Sequence, residues 1–102
     1  MKKILIKLGP VEAADILGWY CLWENNRNIE KPQPLLKLIR EIRRTFTAGR
    51  RVVRLSFIRS EASKLYKWHL KWWAHAGKNP RDRKLFKPEA FLYIIDRIRP
   101  HC

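Results

Sequence analysis

Three histidines and two cysteines are the residues of this chain best suited to hold a metal or transfer a proton: His69, His75, His101, Cys21 and Cys102. His69 and His75 are six positions apart, which places them on different sides of a helix. Neither has a cysteine or an aspartate at ligand spacing, and His101 and Cys102 form a terminal pair without companions. The sequence therefore predicts no metal site and no cofactor.

Patterns of catalytic residues are equally scarce. The chain has no glycine-rich phosphate loop and no pair of carboxylates on one predicted face. A small basic RNase could still use His69 or His75 together with Lys and Arg, and such an enzyme would lose cleavage in His69→Ala or His75→Ala. We expect a protein that is not an enzyme.

Positive charge dominates the composition. Twenty-three Lys and Arg against nine Asp and Glu give a formal net charge of +14. Divided at Gly49, the first half carries nine basic and five acidic residues (+4), and the second half carries fourteen and four (+10). A field of one sign attracts polyanions, of which nucleic acid is the usual one. An acidic membrane surface and an acidic protein are the alternatives.

The remaining composition predicts a cytoplasmic protein that does not contact a membrane. No apolar run is long enough to span a bilayer, and no signal-peptide pattern is present. Two cysteines are too few for a disulfide framework, so we expect two free thiols in a reducing cytosol. A hydrophobic content of 46% is enough for the core of one compact domain.

Two segments, 2–8 and 51–57, alternate apolar and polar residues with the period of a strand. The apolar faces consist of Ile4, Ile6 and Leu8 in the first segment and Val53, Leu55 and Phe57 in the second. A shift of 49 positions lays the first three on the second three. The other faces consist of Lys3, Leu5 and Lys7 in the first segment and Val52, Arg54 and Ser56 in the second.

The regions that follow the strands also repeat. The same shift of 49 superposes Glu12 on Glu61, Ala13 on Ala62, Ile16 on Leu65, Trp19 on Trp68 and Trp23 on Trp72. At a shift of 56, residues 31–43 match residues 87–99 at six of thirteen positions. Two repeats in the same order indicate a duplicated strand-helix-helix unit, with copies at 1–49 and 50–102 that together form one compact domain.

Apolar periodicity predicts four helices, at about 10–25, 32–49, 61–76 and 88–100. Pro10, Pro32 and Pro88 are expected to open three of them, and Ser60 is expected to be the N-cap of the other. Tryptophans recur between the copies on helix faces, which favours packing in the core over stacking on bases. Trp73 has no counterpart and is a candidate for contact with a base or a partner.

A lone strand leaves its backbone groups without partners. The two strands are therefore expected to pair as a ribbon whose apolar face lies on the helices. This predicts a mainly α fold with one two-stranded antiparallel β-ribbon. The link from Thr47 to Arg50 is short, so pairing between chains, in an obligate oligomer, is the alternative.

This order of elements, with an alternating strand leading into helix, turn and helix, resembles the ribbon-helix-helix family of DNA-binding proteins, to which the Arc and MetJ repressors belong. In that family two chains each give one strand to the ribbon. Here one chain would supply both, as in the tandem single-chain members known from conjugative plasmids. The resemblance covers nearly the whole chain and implies a pseudo-two-fold arrangement of the copies.

In the family, the outward face of the ribbon enters the major groove of DNA, which admits two strands. The resemblance implies that Lys3, Lys7 and Arg54 contact base edges, preferably guanine O6 and N7, and that Ser56 contacts bases as well. Leu5 and Val52 would touch thymine methyl groups, although polar residues are expected at their positions. An exposed strand face with solvated cations is the plain structural alternative.

Phosphate contacts are implied at the start of the second helix of each copy, where unpaired N–H groups and a partial positive charge hold anions. Lys31 and Lys87 precede a proline at these two starts. The basic link between the last two helices adds further candidates for contact with the DNA backbone: Lys78, Arg81, Arg83 and Lys84. The alternatives are an ordinary helix start and a solvated loop.

These observations predict a DNA-binding protein, either a transcriptional repressor or a plasmid or viral accessory factor. One chain should prefer a non-palindromic half-site, and two chains side by side would cover tandem or inverted sites. A second hypothesis is an RNA-binding or structural component of a ribonucleoprotein. It explains the charge and the apolar Leu5 and Val52 equally well.

Overall fold

The structure is a computed structural model that describes residues 3–25, 27, 29–76 and 88–101, with residues 72–76 described by their backbone alone. Its elements are β1 (Ile4–Leu8), α1 (Pro10–Trp23), α2 (Gln33–Thr47), β2 (Val53–Phe57), α3 (Arg59–Ala76), α4 (Glu89–Ile98) and a short 3-10 turn (Arg99–His101). The predicted class, mainly α with one two-stranded antiparallel sheet, is confirmed. In the described ranges, no helix combines the length and apolarity needed to cross a bilayer.

The two strands form the antiparallel ribbon that their alternation predicts. The paired residues are Ile4 with Phe57, Leu5 with Ser56, Ile6 with Leu55, Lys7 with Arg54, and Leu8 with Val53. The link from Thr47 to Arg50 spans the required distance, so the strands pair within one chain. Each strand begins two residues later than the alternating segment suggests, because pairing rather than alternation sets the length of a ladder.

The inner face of the ribbon closes one side of a continuous hydrophobic core. All six apolar residues of the alternating segments are buried: Ile4, Ile6, Leu8, Val53, Leu55 and Phe57. They pack on the apolar faces of the helices, whose fully buried members include Ile16, Leu38, Leu65 and Ile94. Burying a side chain of this size stabilises the folded state by about 1.5–3 kcal/mol. The ribbon and the helices therefore depend on each other for stability.

The helices pack both within and across the two halves of the chain. α1 lies against α2 and α3 against α4, while α2 also contacts β2 and α3, and α4 also contacts β1 and α1. Aromatic rings join these contacts, since Trp19 lies 5.0 Å from Trp23, 6.3 Å from Trp68 and 4.9 Å from Phe91, measured between ring centroids. Trp19, Trp23 and Trp68 are buried, as predicted. The side chains of Trp72 and Trp73 lie outside the described residues.

The start of α3 corrects one prediction. Ser60 is not the N-cap, because the helix begins at Arg59 and Ser60 lies in its first turn. The Glu61 carboxylate accepts a hydrogen bond from the Ile58 N–H (2.9 Å), so a side chain inside the helix satisfies the backbone at its start.

The other helix ends fall close to the predicted positions. α1 begins at Pro10, and Pro32 and Pro88 are the N-caps of α2 and α4, so each of these two helices begins one residue after its proline. α1 ends at Trp23 and α2 at Thr47, two residues before the predicted ends.

Gly49 ends α2 in a left-handed conformation (φ +71°) that a side chain adopts only with strain. Gly18 lies in the middle of α1, with nothing within 4 Å of the place a Cβ would take. We predict that Gly49→Ala lowers the free energy of unfolding by about 1 kcal/mol, whereas Gly18→Ala raises it by up to about 1 kcal/mol.

Urea unfolding of the two variants beside the parent chain measures both effects. Equal changes of the same sign would contradict the assigned backbone conformations.

Candidate nucleic-acid interface

The outward face of the ribbon is exposed along its length. Lys7 and Arg54 lie directly opposite each other in the ladder, and both are exposed. Lys3 and Val52, which precede β1 and β2, are exposed as well, and Ser56 is half-buried. The sequence-predicted base-facing residues therefore share one surface of the molecule.

Two like charges face each other at the centre of this surface. Cross-strand neighbours have Cβ atoms about 4.5–5.5 Å apart, so the cations of Lys7 and Arg54 repel each other in a ladder that packing holds fixed. Within the described part of the chain, neither side chain forms an ion pair with a carboxylate. An anion placed above the ribbon would relieve this repulsion, which is the electrostatic condition for binding a polyanion.

The outward face also carries apolar surface. Leu5 is 67% exposed and Val52 is 46% exposed. Leu5 lies opposite Ser56, next to the Lys7 and Arg54 pair. The face therefore offers van der Waals contact beside positive charge, which suits a surface that has both methyl groups and anions.

A partly buried network of hydrogen bonds and one ion pair holds the junction between β2 and α3. The Lys37 ammonium on α2 donates to the Ser56 carbonyl and lies 3.2 Å from the Glu61 carboxylate, which also accepts the Ile58 N–H. Burial alone would raise the pKa of the Glu61 carboxyl, but the hydrogen bonds from Ile58 and Lys37 outweigh it and lower that pKa below its ordinary value. The network ties the end of β2 to two helices and so sets the angle at which the ribbon projects.

The junction between β1 and α1 is built in a related way. A Cβ on Gly9 would lie 2.5 Å from the nearer Glu12 carboxylate oxygen, so that carboxylate folds back against the backbone before the helix. Glu12 sits in the first turn of α1, where the helix dipole favours a negative charge. Both strands therefore lead into a helix whose first turn holds a carboxylate.

The start of α2 has fewer free N–H groups than the sequence-based phosphate prediction needs. Pro34 has no N–H, and the Leu35 N–H already donates to the Pro32 carbonyl at 3.0 Å. The Lys31 ammonium lies 6.0 Å from the centre of the Trp23 ring, in cation–π range. An anion here would meet mainly the Gln33 N–H and Lys31, and phosphate contact at this end stays a prediction.

The start of α4 differs from that of α2. Glu89 and Ala90 both have N–H groups, but the Glu89 carboxylate adds a negative charge in the first turn. The other predicted phosphate contacts, Lys78, Arg81, Arg83, Lys84 and Lys87, lie outside the described residues.

Two arginines beside the ribbon were missed from the sequence. Arg44 in the last turn of α2 and Arg50 in the following turn line the same recess as Arg54. The glycine that ends α2 was visible in the sequence, but the return of the chain past that helix end is a tertiary feature. From helical periodicity alone, Arg44 is expected to be one of several solvated cations.

The two histidine side chains that the structure describes, His69 and His101, lie in different surroundings. The His69 ring lies 6.2 Å from Tyr66 and 6.3 Å from Phe91, as a half-buried member of the core boundary. His101 is exposed in the 3-10 turn, and the His75 side chain lies outside the described residues. Among the described residues, no three His, Cys, Asp or Glu side chains gather as a metal site would require.

Comparison of the chain with protein-family models, with curated proteins and with solved structures gives no match. Inference about function therefore rests on the geometry and charge of the described residues.

Truncation of a side chain should change the free energy of unfolding little on the outward face of the ribbon and much on its inner face. Arg54→Ala removes an exposed side chain, so the free energy of unfolding should change by less than about 0.5 kcal/mol. Leu55→Ala removes a buried side chain and should lower the free energy of unfolding by about 2–5 kcal/mol. Urea unfolding of both variants measures the difference, and a large loss in Arg54→Ala would contradict the exposure of the outward face.

The lowered pKa of Glu61 predicts a pH-dependent stability. A carboxyl whose pKa is lower in the folded state stabilises the protein at pH above its ordinary value of 4.5, and this contribution is lost as the pH falls through the lowered pKa. Glu61→Gln should lower the free energy of unfolding at pH 7 by about 1 kcal/mol. The loss is modest because the ion pair of Glu61 with Lys37 is partly exposed and solvent weakens it. The difference between the variant and the parent chain should shrink below pH 4.5.

Glu12→Gln is the matched control, because Glu12 occupies the corresponding helical position without an ion-pair partner among the described residues. A difference between Glu61→Gln and the parent that stays constant from pH 7 to pH 3 would contradict the proposed network.

Proposed function

We propose that the chain is a DNA-binding protein of ribbon-helix-helix architecture, with both strands of the ribbon supplied by one chain. The observation that carries the proposal is the exposed pair of cations, Lys7 and Arg54, at the centre of a ribbon whose other face is buried. The net charge of +14 supports a polyanionic partner. In this role it acts as a transcriptional repressor or as an accessory factor of a plasmid or virus.

The register of the ribbon supports a duplicated unit. A two-fold axis through the Ile6 and Leu55 pair would exchange residues 49 positions apart. The axis would place Ile4 on Val53. It would also place Phe57, which pairs with Ile4, on Leu8, which pairs with Val53. The observed pairing thus satisfies the relation that the sequence repeat predicts.

The burial of repeated positions supports it further. Four pairs of residues related by the shifts of 49 and 56 have relative exposures of zero for both members: Ala13 and Ala62, Ile16 and Leu65, Leu38 and Ile94, Ile42 and Ile98. The crosswise packing of α2 on β2 and of α4 on β1 has the same symmetry.

The proposed mechanism is insertion of the ribbon into the major groove, which is about 12 Å wide and admits a two-stranded ribbon. Lys7 and Arg54 would then donate to guanine O6 and N7, Ser56 would hydrogen-bond to a base edge, and Leu5 would contact a thymine methyl group. Lys3 and Val52 would lie towards the ends of the contact. Because the two strands differ in these residues, a single chain would favour a non-palindromic site.

A second candidate is an RNA-binding or structural component of a ribonucleoprotein. The observation that favours it is the apolar surface of Leu5 and Val52, because apolar residues contribute little hydrogen-bond readout of base pairs. Structured RNA and duplex DNA compared at the same salt concentration separate the two candidates.

We predict that the chain binds duplex DNA with an affinity that falls steeply between 50 and 200 mM salt, by a factor of about 10³–10⁵ if six to ten phosphates are neutralised. Lys7→Ala combined with Arg54→Ala should weaken binding by about tenfold or more and reduce sequence preference. Fluorescence anisotropy on duplexes selected from a random pool measures both.

The matched control removes two exposed lysines from later turns of α3, by Lys67→Ala with Lys71→Ala. It has the same loss of charge further from the ribbon, so its effect should be clearly smaller. The proposal is wrong if the two double variants weaken binding equally, or if affinity hardly depends on salt.

A further inference from the structure

A shallow basic recess lies beside the ribbon, where the last turns of α2 face β2 and the residues before it. Its volume is about 440 Å³, and it is lined by Glu41, Arg44, Thr45, Ala48, Arg50, Val52 and Arg54. Arg54 and Val52 belong to the outward face of the ribbon, so the recess opens onto the candidate interface.

The backbone fixes one wall of the recess. Gly49 takes φ +71°, its N–H donates to the Phe46 carbonyl at 3.1 Å, and the Arg50 N–H donates to the Thr45 carbonyl at 3.0 Å. These bonds form the glycine-ended motif that closes many helices. They place Arg50 directly against the end of α2, where the partial negative charge of the helix favours a cation.

The charge of the recess is unbalanced. Among the described lining residues, Arg44, Arg50 and Arg54 face one carboxylate, that of Glu41, which lies 3.6 Å from the Arg44 guanidinium. The Arg44 side chain is 75% exposed, so it can turn towards a bound group. Within the described residues, neither Arg50 nor Arg54 has an ion-pair partner. Guanidinium groups gathered in this way bind phosphate oxygens through paired N–H donors.

The other end of the ribbon has a recess of similar size and weaker charge. It measures about 450 Å³ and is lined by Lys3, Ile4, Leu5, Asp96, Arg97, Pro100 and His101. Two cations face one carboxylate there, and Leu5 stands at the position related to Arg54 by the shift of 49. Counted over the described lining residues alone, with His101 neutral, the formal charge is +1, against +2 for the first recess.

We infer that Arg44 and Arg50 together bind one phosphate of the DNA backbone, with Arg54 between that phosphate and the base edges. A ribbon in the major groove has a phosphate backbone beside each of its edges. Because the described lining of the recess at the opposite end is less basic, that recess holds its backbone phosphate more weakly. The phosphate contacts of the bound chain are therefore stronger on one side of the site than on the other. This inference rests on the proposed function.

The experiment measures binding of duplex DNA by anisotropy over a series of salt concentrations. Arg44→Ala with Arg50→Ala should weaken binding by about tenfold or more and reduce the slope of log affinity against log salt by about 0.9, the value for one phosphate. The matched comparison sets the single variant Arg44→Ala against Arg97→Ala in the opposite recess, and Arg97→Ala should weaken binding less. Thermal unfolding checks that each variant is folded.

Duplexes with a single neutral methylphosphonate supply a second readout. The parent chain should lose affinity for the duplex modified at one particular phosphate, and the Arg44 and Arg50 double variant should be indifferent to the same modification. Equal loss at equivalent phosphates on both sides of the site, or an effect of Arg97→Ala equal to that of Arg44→Ala, would overturn the one-sided phosphate contact.

The outcomes separate this inference from the proposed function. If the parent chain fails to bind duplex DNA, the proposed function is wrong and the inference falls with it. If the parent binds, and the double variant binds with the same affinity and salt slope, only the phosphate site is wrong.

Discussion

The antiparallel pairing of β1 and β2 is the constraint on which the rest of the structure depends. Five residues per strand are too few to be stable alone in water. The ribbon persists because the apolar residues of its inner face belong to the same hydrophobic core as residues of the four helices. Since side chains alternate across a strand, burying one row commits the other to solvent. The exposure of the outward face, with its basic residues, is therefore a direct consequence of the burial of the inner face.

The packing of α2 against β2 links the hydrophobic core to the charged residues at the surface. Lys37 on this helix satisfies the Ser56 carbonyl and the Glu61 carboxylate, while Arg44 near its end reaches the recess beside Arg54. One helix thus positions the strand, the start of α3 and a cluster of cations. A change in its packing would alter the outward face of the ribbon and the recess together.

Local patterns predicted most of the fold, and tertiary contacts account for what they missed. Alternation predicted both strands and the burial of Leu55 and Ile6, because the period of a strand is set by local geometry. The cap at Ser60 was wrong, because the competing carboxylate of Glu61 is held by Lys37, 24 positions away in the chain. The recess escaped prediction for the same reason, since Arg44 and Arg54 meet only through the packing of α2 on β2. The exposure of Leu5, Lys7 and Arg54 was predicted because exposure alternates with burial along each strand.

The most direct test of the account follows the backbone amides of the chain by NMR during titration with a short selected duplex. If the outward face of the ribbon holds the DNA, the largest shift changes will fall on Leu5, Lys7, Arg54 and Ser56, with smaller changes at Arg50. The exposed side of α3, at Lys67 and Lys71, will change little. Shift changes concentrated on α3, with the ribbon amides unmoved, would contradict the account.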